Sequence, residues 1–176
     1  GSHAFVWGPR GVGKTSLGHT ACEKHSDIVK VAAAVACERS TDFNTLLNDI
    51  LRSVINTNKG LLRDKSFTVS LEAFGVKIAG KTEGFRERLE IKGPNHAVAL
   101  LNSIFSIDRF PDTIPVVIID EFDRLENKET FELISSVLKQ MSVDDVKTKF
   151  IFCGVAKNLD ELLGAHESVE RYVYGV

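Results

Sequence analysis

The sequence is short of net charge. Its 22 Lys and Arg stand against 24 Asp and Glu, for a formal charge of −2. Such a balance gives no overall pull toward nucleic acid or anionic membranes, although a local basic patch is compatible with it. Cysteine is also sparse. Cys22, Cys37 and Cys153 are odd in number and none stands in C-x-x-C spacing, so they read as reduced, buried thiols in a cytoplasmic protein. His19, His25, His96 and His166 are scattered without metal-ligand spacing and read as surface or cap residues. No apolar run approaches the roughly 20 residues that cross a bilayer. No signal peptide, internal repeat or low-complexity tract is visible.

What is present suits a single domain. The 176 residues can bury a sizeable core. Gly1-Ser2-His3 reads equally as a tag scar or as native sequence entering a first strand. The first strand has only residues 3–7, and the chain stops at Val176 as another strand begins. We therefore expect residues 1–176 to be one domain within a longer protein.

The apolar pattern alternates between strands and helices. HAFVWG is a short apolar run ending in glycine, a first strand over 3–7. A helix then opens at Gly13–Lys14 and reaches about Lys24, with Leu17 and Ala21 expected inward and Gly18 weakening it. IVKVAAAVAC, 28–37, is continuously apolar, as in a parallel strand buried on both faces. Thr41-Asp42 caps a helix to about Asn56, with an inward stripe of Phe43, Leu46, Leu47, Ile50, Leu51 and Val54. Residues 57–93 break the alternation. In FTVSLEAFGVKIAG, Phe67, Val69 and Leu71 recur at period 2, then Phe74, Val76 and Ile78, with Gly75 near the turn. This predicts an inserted β-hairpin, more often a cover for its own domain than an arm for a partner. Pro94 opens a helix through about Ile107, with Val98, Leu101 and Phe105 inward. IPVVIIDEFDRL is a buried strand ending in acids, 127–141 an amphipathic helix, and 148–155 a further strand. A short helix closing at Gly164 and a last strand from YVYGV follow. The fold class predicted is α/β, a mostly parallel sheet with helices on both faces and an inserted hairpin.

Two motifs carry chemistry. Gly8-Pro9-Arg10-Gly11-Val12-Gly13-Lys14-Thr15 fits G-x-x-x-x-G-K-[ST], between a strand and a helix. Gly11 and Gly13 let backbone N–H groups face phosphate oxygens, and the helix N-terminus adds its partial positive charge. Lys14 is expected at the β- and γ-phosphates and the Thr15 hydroxyl on Mg²⁺. Gly8, Pro9, Arg10, Gly11, Val12, Gly13, Lys14, Thr15 and Ser16 are the expected nucleotide contacts. Arg10 also reads as a solvated or interface residue. The second motif is Asp120-Glu121, after four buried β-branched residues. Asp120 is expected to hold Mg²⁺, and Glu121 to orient and deprotonate an attacking water. A GTPase would want an N-K-x-D loop; AKNLD at 156–160 does not fit.

GPRGVGKTS, VVIIDEFDRL and a later strand–helix–Arg segment together resemble the ATPase core of the AAA+ superfamily. The likeness is nearest the branch of origin-recognition/Cdc6-like initiators and transposition-type bacterial ATPases. It covers most of the chain except about 57–93. The resemblance implies a P-loop NTPase sheet of order 5-1-4-3-2, with the 148–155 strand between the loop strand and the Asp120 strand. It implies ATP with Mg²⁺, hydrolysis at the β–γ phosphoanhydride coupled to conformational change, and a homo-oligomer in the full-length protein. Asn158 is the candidate polar sensor and Lys157 a second; Val155 and Ala156 depart from the pattern, and Asn158 also suits a helix N-cap. Arg171 in SVERYV matches an arginine finger reaching a neighbouring subunit, and equally a surface salt bridge. The superfamily's helical lid would follow residue 176, outside this sequence, and ATP over GTP is implied by the resemblance alone. An alternative reading is a slow nucleotide-dependent switch or scaffold that recruits DNA or an effector domain through further domains. No contact with a membrane is expected.

Overall fold

Five strands built from the apolar segments form one sheet. They are β1 (His3–Trp7), β2 (Val29–Ala36), β3 (Ile114–Asp120), β4 (Lys149–Gly154) and β5 (Val173–Gly175). The computed structural model describes residues 2–58, 60–75, 89–106, 109–155, 157, 160, 164 and 173–175. All described strand pairs are parallel. Read from the β5 edge, the order is 5-1-4-3-2, as expected, and β4 lies between β1 and β3. Among the described residues no helix is long and apolar enough to cross a membrane.

Alternation along β3 explains how one sheet serves two layers. Val116 and Ile118 face α1 (Lys14–Lys24), joining Val6, Cys22 and Cys153. Val117 and Ile119 face the larger core, with α2 (Phe43–Thr57), α4 (Pro94–Ile104) and α5 (Lys128–Val143). Because both faces are covered, the strand is apolar throughout rather than alternating. The predicted stripe of α2 is buried in full, and Asp42 caps the helix by accepting the Thr45 N–H at 2.7 Å. Val98, Leu101 and Phe105 are buried as expected, with α4 closing at Phe105. The three cysteines are free and buried.

Beyond β2, which is an edge strand with Lys30, Ala34 and Ala36 exposed rather than buried on both faces, two sequence expectations are overturned. Leu17 and Ala21 do not face inward: Leu17 is half exposed and Ala21 exposed, while Gly18 and Cys22 face the sheet. A Cβ on Gly18 would lie 3.5 Å from Ile151 Cγ2 and 3.8 Å from Ile118 Cδ1, so the small residue lets α1 settle close to the strands. The second correction concerns the predicted hairpin. Residues Lys65–Ala73 form a helix, α3, rather than a first arm. Asp64 caps it, accepting from the Ser66 and Phe67 N–H groups, and Phe67 and Leu71 meet the core one helical turn apart. Val69, the residue that completed the period-2 pattern, is exposed. Of the predicted second arm, Phe74 closes α3, while Val76 and Ile78 lie outside the described residues, as does most of the predicted helix before Gly164.

Candidate functional site

The C-terminal ends of β1, β4 and β3 stand side by side, and the loops leaving β1 and β3 enclose a cleft of about 310 Å³. In such sheets ligands bind at this edge. Its walls come from Arg10, Gly11, Gly13, Lys14, Thr15 and Ser16 on one side and from Asp120, Glu121, Asp123 and Arg124 on the other.

The β1 side is a loop that only particular backbone conformations allow. Gly11 and Gly13 have φ of 81° and 89°, in the left-handed region. A Cβ at either would meet nothing within 4 Å, so the demand is conformational rather than steric. Gly13 is also the N-cap of α1 and offers no side-chain cap; the first-turn amides therefore stay available to an anion. The Lys14 ammonium donates to the Gly8 and Pro9 carbonyls at 3.0 and 2.9 Å. The Gly8 N–H reaches the Gly154 carbonyl at 3.3 Å, tying the loop to the end of β4.

On the β3 side, one buried ring fixes a polar turn. Phe122 is fully buried, with its ring centroid 4.9 to 5.7 Å from those of Phe152, Phe131 and Phe5. The residues beside it are thereby turned into the cleft. Glu121 has φ 52°, a left-handed conformation uncommon for a glutamate. Its N–H donates to Asp120 Oδ1 at 2.8 Å, and its carbonyl accepts from the Arg124 N–H at 2.8 Å. The turn presses close to β4: a Cβ on Gly154 would lie 3.1 Å from Phe5 Cζ and 3.5 Å from the Asp123 nitrogen.

Two ion pairs line this cleft, one across it and one within the β3 turn. Arg10 donates from Nε and Nη2 to Asp123 Oδ2 at 3.1 and 2.7 Å, while the Asp123 side chain is only 8% exposed. This bond raises the Arg10 pKa above its ordinary value. Arg124 Nε pairs with Glu121 Oε2, and both side chains are more than a third exposed. Asp123 and Arg124 were not singled out in the sequence. The signal was available in DEFDRL, where three acids and an arginine crowd one turn, but the partner of Asp123 lies 113 residues away. Arg10 is paired rather than merely solvated. Cys153, buried near the end of β4, has its thiol pushed up to about 11, by burial first and Asp120 next, with Lys14 pulling the other way.

The structure thus brings Lys14, Thr15, Ser16, Asp120 and Glu121 to one cleft. Asn158 and Arg171 lie outside the described residues; Lys157 is described and exposed. Among the described residues no group of three or more His, Cys, Asp or Glu could hold a metal by itself. The Thr15 hydroxyl and the Asp120 carboxylate are hard oxygen donors lining the same space. A pair of this kind suits Mg²⁺, which takes one or two protein ligands and completes its shell with water and phosphate.

The family model described as "AAA domain" matches residues 1–163. Among solved structures, one that is similar is the ORC2 protein of Aeropyrum pernix in its ADP form. It is 15% identical with a TM-score of 0.53, and the match covers 99% of this chain and 42% of that one. The chain thus spans less than half the length of that protein, and the likeness is one of fold. No curated protein matches.

Proposed function

The chain belongs to the AAA domain family, and from that premise and the geometry of the cleft we propose that it binds ATP with Mg²⁺ and hydrolyses it. The observation that carries the reading is the meeting of Lys14 and Thr15 with Asp120 and Glu121 across one cleft, from two loops more than 100 residues apart in sequence. Residues Gly8 to Ser16 cradle the phosphates with backbone N–H groups. Lys14 gives up its two loop carbonyls for the β- and γ-phosphate oxygens, and Asn158 senses the γ-phosphate. Thr15 and Asp120 would hold Mg²⁺, which would supply positive charge against the phosphate oxygens. Glu121 accepts the proton of the water that attacks the γ-phosphorus, and the P–O bond to the β-phosphate breaks. Arg171 of a neighbouring copy completes the site, so the full-length protein works as a cytoplasmic homo-oligomer that converts the cycle into conformational change.

A second reading, a slow switch that recruits DNA or an effector domain, draws support from one observation: the Glu121 carboxylate is engaged by Arg124. One kinetic experiment addresses both readings. Glu121→Gln should bind ATP no more weakly than wild type and lower turnover roughly 10²-fold or more, the scale of general-base catalysis. Unchanged turnover would remove Glu121 as the base. In the wild type, a per-subunit rate that climbs with protein concentration supports sites shared between copies. A flat, near-zero rate with ATP bound supports the switch.

A further inference from the structure

We propose that Arg124 reports the nucleotide state: the terminal phosphate of a bound triphosphate competes with the Glu121 carboxylate for its guanidinium, and winning that competition frees Glu121. The inference rests on the proposed phosphate-binding role of the cleft and adds a residue that neither sequence motif includes.

Three observations carry it. Arg124 lines the same cleft as Lys14 and Thr15, so an anion held there shares its space with the guanidinium. Its contact with Glu121 is a single Nε–Oε2 pair between side chains 46% and 38% exposed. Exposed pairs of this kind are weak and easily exchanged, because water screens them and two flexible side chains must be held. A phosphate group offers more charge and more acceptor oxygens than one carboxylate, and arginine meets it with two parallel N–H groups. Finally, the backbone of Glu121 is pinned by the bonds to Asp120 and Arg124 described above and by the buried Phe122 beside it. Losing the Arg124 side chain therefore releases the carboxylate without moving its Cα.

The other cleft arginine cannot play this part. Arg10 places two donors on Asp123, whose side chain is almost fully covered. Withdrawing Arg10 would leave a buried carboxylate unpaired, a strongly unfavourable state. Arg10 is thus a fixed strap between the two walls, and Arg124 is the exchangeable cation.

The test is the ratio of affinities for two ligands, measured by titration calorimetry on the whole chain with Mg²⁺, using ADP and a hydrolysis-resistant ATP analogue. Arg124→Gln should weaken the triphosphate about tenfold, the scale of one charge-assisted contact, and leave ADP within about twofold. Glu121→Gln leaves the guanidinium without its competitor and should tighten the triphosphate several-fold, but only while Arg124 is present. In the double variant that gain should vanish, the coupling expected of two residues contesting one group. A general loss of structure would weaken both nucleotides alike, so the ratio separates that case. If Arg124→Gln leaves the ratio unchanged while Lys14→Ala abolishes binding of both nucleotides, the inference falls and the phosphate-binding reading stands. If the wild type binds neither nucleotide, or Lys14→Ala binds as well as wild type, both fall.

Discussion

Glu121 shows how single residues are set by what surrounds them. A left-handed φ on a side-chain-bearing residue costs on the order of 1 kcal/mol. The conformation persists because Phe122 is locked among other phenylalanines and the Arg124 N–H closes the turn. His3 makes the same point away from the cleft. Its ring is buried, and Nδ1 accepts the Phe150 N–H at 3.1 Å. Burial first, and Lys149 next, lower its pKa to about 3. The native ring stays neutral well below the pH at which the unfolded chain's histidine takes up its proton, so its contribution is complete above about pH 6.5 and is lost as pH falls toward 3. From pH 7 to pH 5 the loss should be about 2 kcal/mol. Asparagine at this position retains an acceptor for the Phe150 N–H without titrating. Unfolding free energies from urea titrations should therefore fall about 2 kcal/mol further from pH 7 to pH 5 in wild type than in His3→Asn. Equal falls would show that His3 does not titrate as described. The loop glycines, Lys14 and Asp120-Glu121 were legible in the sequence, because their meaning lies in short local patterns. The Arg10–Asp123 strap was not, because only the folded sheet brings its ends together.

At the scale of elements, most helices and strands followed from periodicity, and the failures have physical causes. In α1 the apolar side chains misled: Leu17 lies outward, and Gly18 and Cys22 form the contact face. A glycine within a helix costs about 1 kcal/mol relative to alanine, and here it allows close approach. Gly18→Ala places a Cβ at ordinary contact distance from Ile151 and Ile118, so it should raise stability by about 0.5–1 kcal/mol in denaturant unfolding. Gly18→Leu should lower it by about 1–3 kcal/mol through overpacking. Destabilisation by alanine would contradict this packing. In α3 an accidental period of 2 hid a period of 4. Phe67 and Leu71 satisfy both, and the exposed Val69 fits only the strand; the Asp64 cap was the discriminating signal. The exit from this region is held by α2, since Asn48 bonds both the N–H and the carbonyl of Leu89, and Asn44 accepts from the Ile91 N–H. No periodicity announces such bonds, because they replace a strand ladder with side chains.

At the scale of the molecule, the sheet order places β4 between the strands that carry the two motifs. That spacing separates the β1 and β3 loops enough to leave a cleft, and Gly154 lets the β3 turn close against β4 beneath it. The fold class and strand order were legible because alternating strand and helix patterns allow few arrangements. The Arg10–Asp123 pair across the cleft was not, since it belongs to the assembled edge. The central claim is that this cleft holds a nucleotide triphosphate through Lys14. The most direct measurement is calorimetric titration of a hydrolysis-resistant ATP analogue with Mg²⁺ into wild type and Lys14→Ala, with thermal unfolding as a check on folding. The account predicts saturable binding at one site per chain in the wild type, and affinity at least roughly 10²-fold weaker in a folded Lys14→Ala, as loss of a charged phosphate contact requires. Equal affinity in the two proteins, or no binding by the wild type, would contradict it.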